Sequence, residues 1–395
     1  MGAATNPIVF RFPLLQLVAV AVLLSGCGGD VSEPGAALSP HVRTAAGHAV
    51  GLGAVLTAHG GQIFGFDLNQ HGSDGVLATA SDVETFDQST GAITKVFPKN
   101  NPPRTSYVAM GIVANDVGLI NRQVEPKGSI YAKRLYDVMQ PVTANKFTGK
   151  WTPPVKDFQV ESAGPNQSTA QTAMFGIELK NQDIPDVFSS NVAKNTFGKL
   201  IHLDPDKFGV GNQPQAAQDT ATNEEVIATS PDGGRVGGAP PINVLVNLKT
   251  GKQVQFNGFN NGYFHAGDVN GLAVDSASGI AATTTELNAQ VEFYNLAKQN
   301  GVFAQLPCTG DTSQGNSGAG IANDSVNGLF LVTDPTYCAG SQGSAIVVYD
   351  ESGNLIETIT GFKFAIGEPA PVINPATRTG WAFGPTFGQL QQFFY

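Results

Sequence analysis

Four polar residues carry the donor types from which a binding or catalytic site could be built: His265, Asp268, Asn270 and Glu368. An imidazole beside two carboxylates supplies a general acid/base pair, and carboxylate and amide oxygens together suit a hard cation such as Ca²⁺ or Mg²⁺. These positions are far apart in the chain, so they form one pocket only in a fold that gathers distant connections. Gly315-Asn316-Ser317-Gly318 sets a serine between glycines, but it lacks the strand–turn–helix context that makes such a serine nucleophilic and reads as a loop. His41, His48, His59 and His71 cluster within 31 residues without the spacing of a zinc motif.

The first 27 residues direct the chain out of the cytoplasm. Arg11 gives a modest positive start, Pro13–Leu24 is a 12-residue apolar run, and Leu24-Ser25-Gly26-Cys27 follows at once. A spanning helix needs about 20 apolar residues, so this run has the length of a signal peptide. The tetrapeptide resembles a bacterial lipobox, which implies a lipid on Cys27, palmitate included, and cleavage before it. The division expected is a signal peptide over 1–26, a small, polar, Pro- and Gly-punctuated tether over 27–47, and one domain over 48–395. Gly28 leaves no inner-membrane retention aspartate after the cysteine, which favours the outer membrane or the surface. Cys308 and Cys338 then remain in an oxidising compartment, where a disulfide between them is expected.

The elements that must position any site are short strands. With 47 Gly among 395 residues and only 14% charged residues, the chain has the make-up of many strands joined by tight turns. Its net charge of −10 comes without a basic cluster, which argues against nucleic acid as a partner. One pattern recurs: an apolar pair, Asp or Asn, a few turn residues, Gly, then another apolar strand. Its glycines are Gly75, Gly118, Gly234, Gly279, Gly328 and Gly380, at gaps of 43, 116, 45, 49 and 52. Because 116 is twice 58, a degenerate copy is expected near Gly176. A second turn recurs at Gly91, Gly251, Gly301 and Gly353.

Each unit therefore reads as four strands, A to D, with one turn between A and B and another between C and D. Seven such units predict an all-β, seven-bladed β-propeller, six blades being the alternative because the unit between Trp151 and Gly211 is degenerate. Only fifteen residues follow Gly380, enough for strands B and C, so Ala49–Thr57 is the expected outer strand that closes the ring. The D-to-A connections and B–C loops share one face, which is where Cys308 and Cys338 could meet. The same face would gather Arg104–Tyr107, Asn223–Glu225, His265–Asn270, Asp311–Ser317 and Gly367–Glu368.

The turns T-S-P-D-G-G-R-V and A-V-D-S-A-S-G, with the following K-T-G turn, resemble repeats of the YVTN/lactonase-like and NHL propeller families over most of 48–395. Val269-Asn270-Gly271-Leu272-Ala273 is similar to a segment of gluconolactonase-type propellers, and the resemblance implies a divalent metal on Asn270. Val269 stands where that segment has proline. The expectation for function is a lipid-anchored binding or scaffold module of the cell envelope with a protein or small-molecule ligand. A metal-dependent hydrolase of the lactonase type is the alternative.

Overall fold

The computed structural model describes residues 63–395 except 80–81, 98–104, 114–115, 125–126, 128–132, 144–145, 157, 164–170, 179–184, 204–214, 230–241, 257–268, 286–287, 308–319, 335–343, 363–369 and 384–389. Every regular element among the described residues is a strand. Blade one is β1 (Ile63–Leu68), β2 (Asp74–Thr79), β3 (Val83–Asp87) and β4 (Ile93–Phe97). Blade two is β5 (Thr105–Val113), β6 (Val117–Val124), β7 (Lys133–Met139) and β8 (Gly149–Trp151). Blade three is β9 (Phe158–Ala163), β10 (Thr172–Glu178), β11 (Pro185–Asn191), β12 (Thr196–Phe197) and β13 (Ile201–His202).

Blade four is β14 (Gln215–Asp219), β15 (Glu224–Thr229), β16 (Ile242–Asn247) and β17 (Gln253–Phe256). Blade five is β18 (Val269–Asp275), β19 (Ile280–Thr285), β20 (Asn288–Asn295) and β21 (Asn300–Gln305). Blade six is β22 (Ile321–Asp324), β23 (Leu329–Asp334), β24 (Ser344–Asp350) and β25 (Leu355–Phe362), and blade seven is β26 (Val372–Asn374), β27 (Thr379–Phe383) and β28 (Leu390–Phe394). All pairings are antiparallel, and outside blade three each links successive strands. In blade three, β12 and β13 both pair with β11, and the Gly198 N–H reaches the Ser189 carbonyl between them, so they are two pieces of one outer strand.

A sheet with alternating strands offers two apolar faces, and each blade buries both against its neighbours. Seven clusters fill the seven spaces. Val76 meets Ile120 between blades one and two, Trp151 meets Phe188 between two and three, and Phe175 meets Val244 between three and four. Leu245 packs with Tyr294, Phe293 with Val347, Val348 with Phe393, and finally Trp381 with Phe86, which returns to blade one. The ring is closed, and it has seven blades. The stretch 152–211 is thus blade three with its flanking connections, not an insertion that leaves six.

Among the described residues, the junction of last and first blades is held by Gln88. Its buried amide nitrogen donates to the carbonyls of Asn69 (2.8 Å), Gly72 (3.3 Å) and Asp74 (2.9 Å), and its Oε1 accepts from Asn374 Nδ2 at 3.0 Å. Its backbone carbonyl accepts from Trp381 Nε1 and Gln392 Nε2. The expected closing strand, Ala49–Thr57, lies outside the described residues.

The turns explain why the repeat was readable. At A–B turns, Oδ1 of Asp219, Asp275 and Asp324 each accepts two backbone N–H groups from the next residues, and Asn374 Oδ1 accepts one. Asp87, Asn247 and Asp350 do the same at C–D turns. A side-chain oxygen that mimics a turn carbonyl fixes the first half, and a left-handed residue completes it. That residue is glycine at Gly91, Gly251, Gly279, Gly328 and Gly353, but Asn223, Gln299 or Arg378 elsewhere.

Three glycine expectations are corrected accordingly. The blade-four A–B turn is Asp219–Glu224 and not Gly234, so Glu224–Thr229 is strand B rather than A. In blade five the left-handed position is Gln299, and Gly301 lies within β21. Gly176 lies late in β10 instead of at a turn.

Two B-strand glycines have a packing role. Gly75 pairs with Phe86 and Gly380 with Phe393, and in both cases an added Cβ would fall inside the aromatic ring. Such overpacking costs about 1–3 kcal/mol.

Candidate functional site

Antiparallel alternation puts the D-to-A connections and the B–C loops at one face of the ring and the A–B and C–D turns at the other. The two faces differ in chain length. On the first, 203–214, 230–241, 257–268 and 306–320 each run to twelve residues or more, and 335–343 and 363–371 to nine. On the second, most turns span only four or five residues, as in 220–223, 276–279, 325–328 and 375–378. Long connections on a rigid scaffold are where binding residues are normally carried.

His265, Asp268, Glu368, Cys308 and Cys338 belong to connections of the long-connection face, and these residues, with Cys27, lie outside the described ones. Asn270 is in β18, at a register shift between Val269 and Gly271. The same shift occurs at Ile63/Gly65 in blade one and Tyr107/Ala109 in blade two. The bulge therefore recurs in the innermost strands of several blades and is not peculiar to Asn270. Asn223 and Glu225, expected with the D-to-A connections, are instead at the A–B turn and start of β15, on the opposite face.

Sequence reading missed a cluster at the long-connection end of blade three. Asp186 begins β11 and is fully buried, and its cross-strand partner is His202 in β13. Asp186 Oδ1 and His202 Nδ1 are 2.5 Å apart. On the other side of Asp186 is Gly176, and Glu178 two residues on shares that face, so a diagonal neighbour completes the group. The ligand atoms of Glu178, Asp186 and His202 lie within 4.8 Å of one another. Burial pushes the Asp186 carboxyl up to about 6; His202 opposes the shift and Glu178 adds to it. Asp186 Oδ2 is buried and has no hydrogen-bond partner, while the His202 ring is largely in solvent, at 58% exposure. Nothing in the spacing 178, 186, 202 shows this; the register of three strands creates it.

Two further carboxyls are perturbed elsewhere. Glu225 is fully buried, shares the blade-three-facing side of β15 with Ile227, and has neither oxygen hydrogen-bonded. Desolvation alone pushes it up to about 8. Asp67, in innermost strand β1, is pushed up to about 6 by burial, although the N–H groups of Ile112 and Leu68 both donate to it. Its bond to Ile112, at 2.7 Å, ties blade one to blade two.

No known family pattern matches the sequence, and no curated protein is detectably similar. Solved structures are similar in fold. The structure of U3-55K aligns with a TM-score of 0.59 at 12% identity, over 86% of this chain and 98% of that one. The WD40 repeats of RRP9 align with a TM-score of 0.59 at 13% identity, over 86% and 96%. A chain of the mitotic checkpoint complex aligns with a TM-score of 0.57 at 10% identity, over 99% of both. At these identities the likeness is one of fold, a seven-bladed β-propeller.

Proposed function

We propose that this chain is a lipid-anchored β-propeller of the bacterial cell envelope that binds a protein or small-molecule partner through its long-connection face. The observation that carries the reading is the asymmetry of the ring: long connections on one face, side-chain-capped turns on the other. A scaffold that gathers most of its long connections on one face is suited to present that face. The mitotic checkpoint complex supplies a structural precedent for such a ring within a multiprotein assembly. The anchor rests on Leu24-Ser25-Gly26-Cys27 after the 12-residue apolar run, with 27–47 as tether and 48–395 as the propeller unit, and on Gly28 for the outer membrane. Pairing of Cys308 with Cys338 belongs to the same reading, since it needs the oxidising side of the membrane.

Metabolic labelling of the full chain with an alkyne palmitate tests the anchor. Label is expected on the wild type and none on Cys27→Ser, which should leave the membrane fraction and show no free thiol until it is reduced. Equal labelling of both forms would end the proposal of an anchor at Cys27. The lactonase-type alternative, through Val269-Asn270-Gly271-Leu272-Ala273 and a Ca²⁺ or Mg²⁺ ion, requires lactone hydrolysis that Asn270→Ala abolishes.

A further inference from the structure

The Glu178–Asp186–His202 group leaves one buried acceptor unused by the hydrogen bonds around it. A buried carboxylate oxygen with no hydrogen-bond partner is costly to leave so, and Asp186 Oδ2 is such an atom. It sits within a group that also offers a second carboxylate and an imidazole, with all ligand atoms inside 4.8 Å. The three side chains come from three neighbouring strands, so the sheet holds their backbones at fixed spacing. Asp186 is buried, whereas His202 is open to solvent, which leaves an entry path. The strand that carries His202 is also tied to blade four: Gln253 Nε2 donates to the His202 carbonyl at 2.9 Å.

From this geometry we infer that blade three carries a divalent transition-metal site, with Glu178, Asp186 and His202 as three protein ligands and water completing the shell. The donor set selects the ion. Carboxylates alone would suit Ca²⁺ or Mg²⁺, but an imidazole among them favours first-row transition ions such as Zn²⁺. A cation would neutralise the two facing carboxylates and satisfy the Asp186 Oδ2 atom in one step. The inference is independent of the anchor and of the partner, since it uses only residues within one blade.

The test is metal binding by the purified full chain, stripped with chelator and titrated with Zn²⁺ by calorimetry and with Co²⁺ by absorption spectroscopy. One equivalent is expected, with Co²⁺ bands characteristic of a low-coordinate protein site and no displacement by excess Mg²⁺ or Ca²⁺. His202→Ala, with an unchanged circular dichroism spectrum as the check on folding, should weaken binding at least about tenfold and remove the bands. Glu178→Gln should do likewise, and His71→Ala, which removes a histidine of the opposite face, should change neither. Absence of saturable binding, or binding that His202→Ala leaves intact, would overturn the site.

Discussion

Replacing Gln88 by alanine should cost about 2–3 kcal/mol, because one buried side chain bonds both the first blade and the last. The side chain bonds three carbonyls of the 69–74 turn and the amide of Asn374; the Asn69 and Asp74 carbonyls keep a bond from N–H groups of the turn itself, whereas the buried Asn374 amide would lose this partner. The cost follows from losing a buried side chain that bonds both the first and the last blade and from leaving the Asn374 amide without this acceptor; an ordinary exposed hydrogen bond contributes much less. Because the junction joins the last blade to the first, the damage should be local as well as global. Hydrogen exchange should quicken first in β1, β26 and β27, and the urea midpoint should fall without a change in slope. A midpoint within experimental error of the wild type would show that closure is carried elsewhere.

Glu225→Gln should make the protein more stable, and more so as pH rises. The folded-state pKa of Glu225 is near 8, above its ordinary 4.5, so between these values the folded chain holds a proton that the unfolded chain has lost. Stability then falls as pH rises: the contribution is complete below about 4.5 and is lost progressively up to about 8. One unit corresponds to about 1.4 kcal/mol, so the wild type should lose on the order of 3–5 kcal/mol across this window. Glutamine keeps the shape and cannot ionise, which should flatten the profile and add about 3 kcal/mol at pH 8. Parallel pH profiles for the two proteins would contradict the assignment.

The parts of this fold that could be read from the sequence are the parts made by local chemistry. Asp or Asn followed by a left-handed residue builds each turn from within four or five residues, so Asp87/Gly91, Asn247/Gly251, Asp275/Gly279 and Asp324/Gly328 announced their blades. Where Asn223 fills the left-handed position, the glycine-rich tract around Gly234 drew the phase one strand too far. Blade three has Asn195 at its C–D turn and an outer strand in two pieces, so its repeat was faint. Cross-strand chemistry left no such trace. Gln88 reaches Asn374 across most of the chain, and Asp186 meets His202 only through strand register. His265, Asp268 and Glu368 were placed by topology alone, on connections of the long-connection face.

The central claim is that this face is the one that binds. A photo-crosslinking residue placed singly in the full chain tests it in intact cells: at exposed Lys127 in a B–C loop, and at Val326, 73% exposed, in an A–B turn. The account predicts a discrete adduct from position 127 and none from position 326. Adducts from position 326 alone, or equally from both, would contradict it.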